Sequence, residues 1–84
     1  MYKITFSKDA DKVLRRMPRN TALNIAKKIK QLAKNPGKMQ NVKKLTDHPG
    51  FRLRVGNWRI VYTVKDKELL IHVIKIKPRG EVYK

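Results

Sequence analysis

From its first residues the chain alternates: Tyr2, Ile4 and Phe6 are apolar, and Lys3 and Thr5 between them are polar. A period of two predicts a strand with one buried face. The period then changes. Ala10, Val13, Leu14 and Met17 recur at i, i+3, i+4 and i+7, which is one face of a helix. Ser7 stands just ahead of it as an N-cap. Asp9 falls in the first turn, where a carboxylate meets the positive end of the helix dipole. Pro18 interrupts the stripe and suits the start of a second helix, because the N–H it lacks would have no helical partner there. Ala22, Ile25, Ala26, Ile29, Leu32 and Ala33 continue a helical stripe, with Lys27, Lys28, Lys30 and Lys34 opposite, until Asn35-Pro36-Gly37 ends it.

A lysine-rich link follows, in which Val42 and Leu45 suit a short edge strand, and Asp47-His48-Pro49-Gly50 is a turn cluster. From Phe51 the period returns to two. Phe51, Leu53 and Val55 alternate with Arg52 and Arg54, and Trp58, Ile60, Tyr62 and Val64 alternate with Arg59, Val61 and Thr63. Gly56-Asn57 between them fits a two-residue hairpin loop with glycine first, the type II′ arrangement. After a turn near Asp66-Lys67, residues 69–76 form a nearly continuous apolar run, which suits a strand covered on much of both faces. Strand, helix, helix, then consecutive strands predicts an α+β fold. A strand and a helical hairpin pack on one face of a mainly antiparallel sheet of about four strands, as one domain over 1–84.

The hairpin register carries this toward chemistry. A turn at Gly56-Asn57 sets Val55 opposite Trp58, Leu53 opposite Ile60 and Phe51 opposite Tyr62, all facing the helices. Arg54 then faces Arg59, and Arg52 faces Val61, on the other side. Like charges directly across a strand pair are unfavourable. Three guanidinium groups on one patch make sense if a polyanion fills it, and arginine is the better residue for forked contacts to phosphate. A solvated strand face, with long side chains lying over the sheet, is the plainer alternative.

Composition strengthens the first reading. Among 84 residues, 22 Lys and Arg face six Asp and Glu, a net charge of +16. Such a domain is drawn to polyanions, nucleic acid foremost, with salt-dependent affinity. No stretch combines a basic helix face with an exposed aromatic one, as a membrane-surface helix would. The six acids are scattered, so they do not supply the converging carboxylates of a two-metal nuclease. A nuclease built from this sequence is expected to work without metal or other cofactor. There is no cysteine, no His/Cys metal spacing and no Walker or dinucleotide glycine motif. No signal peptide or membrane-length apolar run is visible, which points by default to the cytoplasm. His72, in an apolar strand, reads as a partly buried histidine, and His48 as a turn residue. Ser7 reads as a cap, and Trp58 as a core residue.

The stretch Phe51-Arg52-Leu53-Arg54-Val55-Gly56-Asn57-Trp58-Arg59-Ile60-Val61-Tyr62 resembles the central hairpin of the RelE/ParE toxin superfamily, commonly Y-R-L-R-x-G-x-Y-R-I-x-Y. Arg79-Gly80-Glu81-Val82-Tyr83 is similar to that family's R-x-E-V-Y terminus, at the matching separation. The resemblance implies a RelE-like fold and the toxin half of a type II toxin–antitoxin pair. RelE-type members cut messenger RNA in the ribosomal A site through the RNA's own 2′-hydroxyl, leaving a cyclic phosphate. It implies Arg59, Arg79 and Tyr83 as catalytic residues, Arg52 and Arg54 as RNA-binding residues, and an acidic cognate antitoxin; Lys77 is expected to assist them in binding RNA. In ParE-type relatives the same fold inhibits DNA gyrase instead, and a catalytically silent RNA- or protein-binding module is a third reading. Two departures stand out. Many relatives have His where this chain has Pro78, so a His-dependent proton transfer fails at that position. Relatives often carry a helix after the tyrosine, whereas one residue follows Tyr83 here. Guanidinium groups nearby favour ionised tyrosine, so Tyr83 fits a general base or a base stacker.

Overall fold

The computed structural model describes residues 1–39, 41–46 and 49–78. The chain opens with strand β1 (Lys3–Phe6), followed by helices α1 (Lys8–Arg16) and α2 (Arg19–Lys34). A short 3-10 turn (Pro36–Lys38) leads to β2 (Val42–Lys44), β3 (Phe51–Val55) and β4 (Trp58–Lys65). A second 3-10 turn (Asp66–Glu68) then leads to β5 (Leu70–Pro78). The five strands form one sheet in the order β1-β5-β4-β3-β2. After β1 the chain crosses over the helices to the far edge. It returns strand by strand until β5 lies parallel to β1, while every other pairing is antiparallel. The α+β class expected from the sequence is the one observed, with five strands rather than about four. The short edge strand that Val42 and Leu45 suggested is β2, in which Val42 lies opposite Leu53 of β3.

Local chemistry explains the boundaries. The Ser7 hydroxyl accepts from the Ala10 N–H at 3.1 Å, and Asp9 and Asp11 occupy the first turn of α1. The same hydroxyl donates to the Ile74 carbonyl of β5, and the Ser7 N–H to that of Val73. Ser7 therefore both starts the helix and fixes where β1 leaves β5. Pro18 takes the position just ahead of α2 and its carbonyl accepts from the Ala22 N–H. At the β3–β4 hairpin Gly56 has φ +58, and of the two loop residues only Gly56 lies in that region, as a glycine-first loop requires. The expected register follows: Val55↔Trp58, Arg54↔Arg59, Leu53↔Ile60, Arg52↔Val61 and Phe51↔Tyr62.

The core lies between the helices and one face of the sheet. It joins Ala10 of α1, Met17 just after that helix, and Ile25, Ile29, Leu32 and Ala33 of α2 to Leu53, Val55, Ile60, Tyr62, Ile71, Val73 and Ile76. Trp58 packs against it, half-buried. Phe51 and Tyr62 stack across the pair with ring centroids 5.7 Å apart, an arrangement worth about 1 kcal/mol beyond area burial. At the far edge Lys43 and Lys44 leave the short β2 charged, which discourages pairing with another chain.

β5 departs from the sequence reading. Its apolar run is buried or half-buried from Leu70 to Ile74, but it does not keep one phase along its length. The register shifts between Val61↔Lys75 and Tyr62↔Val73, so Ile74 is an extra residue with no partner in the ladder, a β-bulge. Before the bulge the odd-numbered Ile71 and Val73 are in the core; after it the even-numbered Ile76 is. An unbroken strand would have turned Lys75 and Lys77 toward the helices. The bulge turns them to the opposite face.

Candidate functional site

The face of the sheet turned away from the helices is laid out in rows by the strand pairings. One row runs Lys43–Arg52–Val61–Lys75, and the next Arg54–Arg59–Lys77. Six cations thus occupy two adjacent rows with Val61 among them. None of the five strands contains an acid. The repulsion inferred from the hairpin is therefore extended on both sides, with Lys43 joining from β2 and Lys75 and Lys77 from β5. Three successive cations across one row are unfavourable in isolation and favourable around an anion.

Burial differs among these groups. Arg54, Lys43 and Lys75 are exposed, and Arg52 and Lys77 are half-buried. Arg59, at the middle of its row, is 2% exposed, the one charged residue in the buried class among those described. It is engaged within the chain itself. The sequence placed Arg59 on an open patch. The structure keeps it on that face but covers it, so exposed Arg54 and Lys75 and half-buried Arg52 and Lys77 surround a recessed guanidinium. A charge held in such surroundings is fixed in place and weakly screened, so it acts more strongly on a developing negative charge than a solvated one does.

Of the residues singled out from the sequence, Arg52, Arg54, Arg59 and Lys77 share this face. Arg79 and Tyr83 lie outside the described residues, as does His48. Pro78 ends β5 opposite Trp58. Lys75 was not anticipated, although the break in period after Ile71 and Val73 was a signal for it. Lys43 became recognisable only with the edge pairing.

The next row along the face is Thr63–His72–Thr5, where Thr5 Oγ1 and His72 Nδ1 lie 2.8 Å apart. His72 is half-buried, as its setting in the sequence suggested, and its ring is oriented by Thr5 beside the cationic rows. Among the described residues no three His, Asp or Glu side chains converge in a way that could hold a metal ion. No helix among them is long and apolar enough to cross a membrane. What the face can do is hold a chain of phosphates and stabilise added negative charge on one of them.

Comparison with known proteins agrees with this geometry. The family described as the ParE toxin of type II toxin–antitoxin systems matches residues 4–83. A RelE-like toxin protein of Escherichia coli is 31% identical over 98% of this chain and 90% of its own length. Among solved structures, RelE in the archaeal RelE–RelB complex of Pyrococcus horikoshii superposes with a TM-score of 0.82. It is 27% identical and covers 95% of this chain and 97% of its own. A chain of the intact Escherichia coli RelBE toxin–antitoxin complex shares the fold with a TM-score of 0.80 at 23% identity, over 93% of this chain and 96% of its own. A match over almost the full chain, a relative above 30% identity and the five-stranded sheet with its helical hairpin lead to one assignment: this chain belongs to the RelE/ParE superfamily of type II toxin–antitoxin toxins.

Proposed function

We propose that this toxin is a metal-independent endoribonuclease that cuts messenger RNA on the ribosome and so blocks translation. The observation that carries the reading is the double row of six cations on a sheet face free of acids. Arg52, Arg54 and Lys77, joined by Lys75, hold the phosphates on either side of the cut. Arg59 and Arg79 stabilise the phosphorane, whose equatorial oxygens carry the added charge. The RNA 2′-oxygen attacks phosphorus and loses its proton; the bond to the 5′-oxygen breaks, and that oxygen takes up a proton. The products are a cyclic phosphate and a 5′-hydroxyl. Tyr83 serves as the general base or stacks on a base beside the cut.

The toxin is expected to act in the cytoplasm, with an acidic cognate antitoxin as partner. The RelE chains it resembles were crystallised with RelB, and a basic face of this kind attracts an acidic segment. The test is primer extension on messenger RNA from translating ribosomes treated with the toxin. Discrete stops in coding sequence are expected, and Arg59→Ala should remove them. Intact messenger RNA together with loss of gyrase supercoiling would replace this reading by the second one, gyrase inhibition, which the ParE description of the matching family favours.

A further inference from the structure

The cationic face does not end at β5. β1 stops pairing at Phe6↔Val73, so among the described residues no strand lies on the outer side of the last part of β5. Helix α1 runs along it there, leaving a groove of about 230 Å³ lined by Asp9, Lys12, Val13, Arg16, Lys75, Ile76 and Lys77. Val13 and Ile76 give it apolar lining. Four cations stand around them against one carboxylate, and that carboxylate, Asp9, sits in the first turn of α1. Lys12 and Arg16 are i and i+4 on α1, so they project side by side. Both are exposed, and among the described residues neither has a carboxylate within ion-pair distance. Arg15, one residue away, differs: it is bonded to Asp11 at 3.1 Å on another side of the helix. Lys75 and Lys77 belong both to this groove and to the rows of the open face. The groove is smaller than the roughly 300–1,000 Å³ of a small-molecule pocket, and its cations continue those of the open face, so it suits a passing strand better than a small-molecule ligand.

We infer that RNA held on the open face continues over the edge of β5 into this groove, where Lys12 and Arg16 contact phosphates outside the cleavage site. The inference rests on the proposal that RNA is the ligand of the open face. It adds a second track that extends binding without taking part in the cut.

The experiment measures binding of a 2′-O-methyl single-stranded RNA, which cannot be cleaved, by fluorescence anisotropy over a range of salt. Three double variants are compared with the parent toxin. Lys12→Gln/Arg16→Gln removes the groove cations, Arg52→Gln/Arg54→Gln those of the open face. Lys27→Gln/Lys30→Gln removes equal charge from the exposed side of α2. Each phosphate contact on single-stranded RNA contributes about 0.7 to the slope of log affinity against log salt. The groove pair should therefore flatten the slope by about 1.4, and the α2 pair should leave it unchanged. A short oligonucleotide that reaches only the open face should not distinguish the groove variant from the parent. If the groove pair behaves like the α2 pair while the open-face pair loses binding, the groove inference is overturned and the proposed function stands. If the open-face pair also keeps full binding, the RNA reading itself fails. Unchanged RNA binding with weakened antitoxin binding would assign the groove to the antitoxin and overturn the RNA path. Retention of the parent's circular dichroism spectrum in each variant excludes loss of fold as the cause.

Discussion

The two faces of the sheet are made by the same strands from neighbouring residues, yet they obey opposite rules. Toward the helices, Leu53, Ile60, Tyr62, Ile71, Val73 and Ile76 are closed from water and satisfied by each other. One residue along, Arg52, Arg54, Arg59, Lys75 and Lys77 repel one another. The first face stabilises the domain. The second works against its stability and becomes favourable when an anion arrives. Stability and function are thus separated by the thickness of a pleat, and a change of register by one residue would exchange them.

That separation can be broken most directly by placing a charge on the closed face at Ile60, which is fully buried between Leu53 and Ile76. Ile60→Lys sets an ammonium group there, on strands that hold no acid to pair with it. Burying an unpaired charge costs several kcal/mol, comparable to the roughly 5–15 kcal/mol that holds a domain together. The variant should show no cooperative thermal transition; a folded, stable protein would mean that the closed face tolerates charge as the open one does.

Neighbouring substitutions on β3 sharpen the contrast. Leu53→Ala should lose about 2–5 kcal/mol in urea unfolding and leave the residual folded protein able to bind RNA. Arg54→Ala should change stability by no more than about 0.5 kcal/mol while weakening RNA binding and flattening its salt dependence. Equal stability losses in the two would remove the distinction between the faces.

Tyr62 gives a test of the closed face by pH. Burial pushes its hydroxyl up from 10.0 to about 12. The folded state therefore holds the proton over a range in which the unfolded chain has released it. The resulting stabilisation, about 2 kcal/mol, is complete below about pH 10 and is lost as pH rises toward 12. Urea midpoints measured across that range should fall more steeply for the parent than for Tyr62→Phe. Parallel curves would show that the hydroxyl is not shielded. A modest effect on stability is expected at Ser7, where both faces are set in phase. Ser7→Ala removes the cap bond of α1 and the bond to Ile74, for about 1–2 kcal/mol read as a lowered Tm.

The sequence shows most clearly where the pattern is local. The alternation from Phe51 to Tyr62 and the glycine at position 56 contain the hairpin register, so the placement of Arg52, Arg54 and Arg59 on one face follows from a count of two. The β1–β5 pairing is not written in this way, because Thr5 and His72 meet across 67 residues and neither segment's periodicity names its partner. The bulge was half-visible in the switch from odd to even apolar positions after Val73, and reading those residues as a doubly covered strand concealed Lys75. The recess of Arg59 could not be read from its neighbours in sequence, since burial depends on what lies over a sheet rather than on which way a side chain leaves it.

The first strand made is also the one that must wait longest. Among the described residues β1 pairs in the sheet only with β5, which is synthesised after the other four strands. While a new chain is still growing, the helices can form, and β2 to β4 can pair by short hairpin steps. The amino-terminal strand stays unpaired until residues 70–73 exist, and such long-range closure is slow. The incomplete chain therefore carries an open strand and uncovered apolar surface, which favours association with other proteins. It also lacks Lys75 and Lys77. Only when both lysines have been added does the nascent polypeptide hold the full double row of six cations.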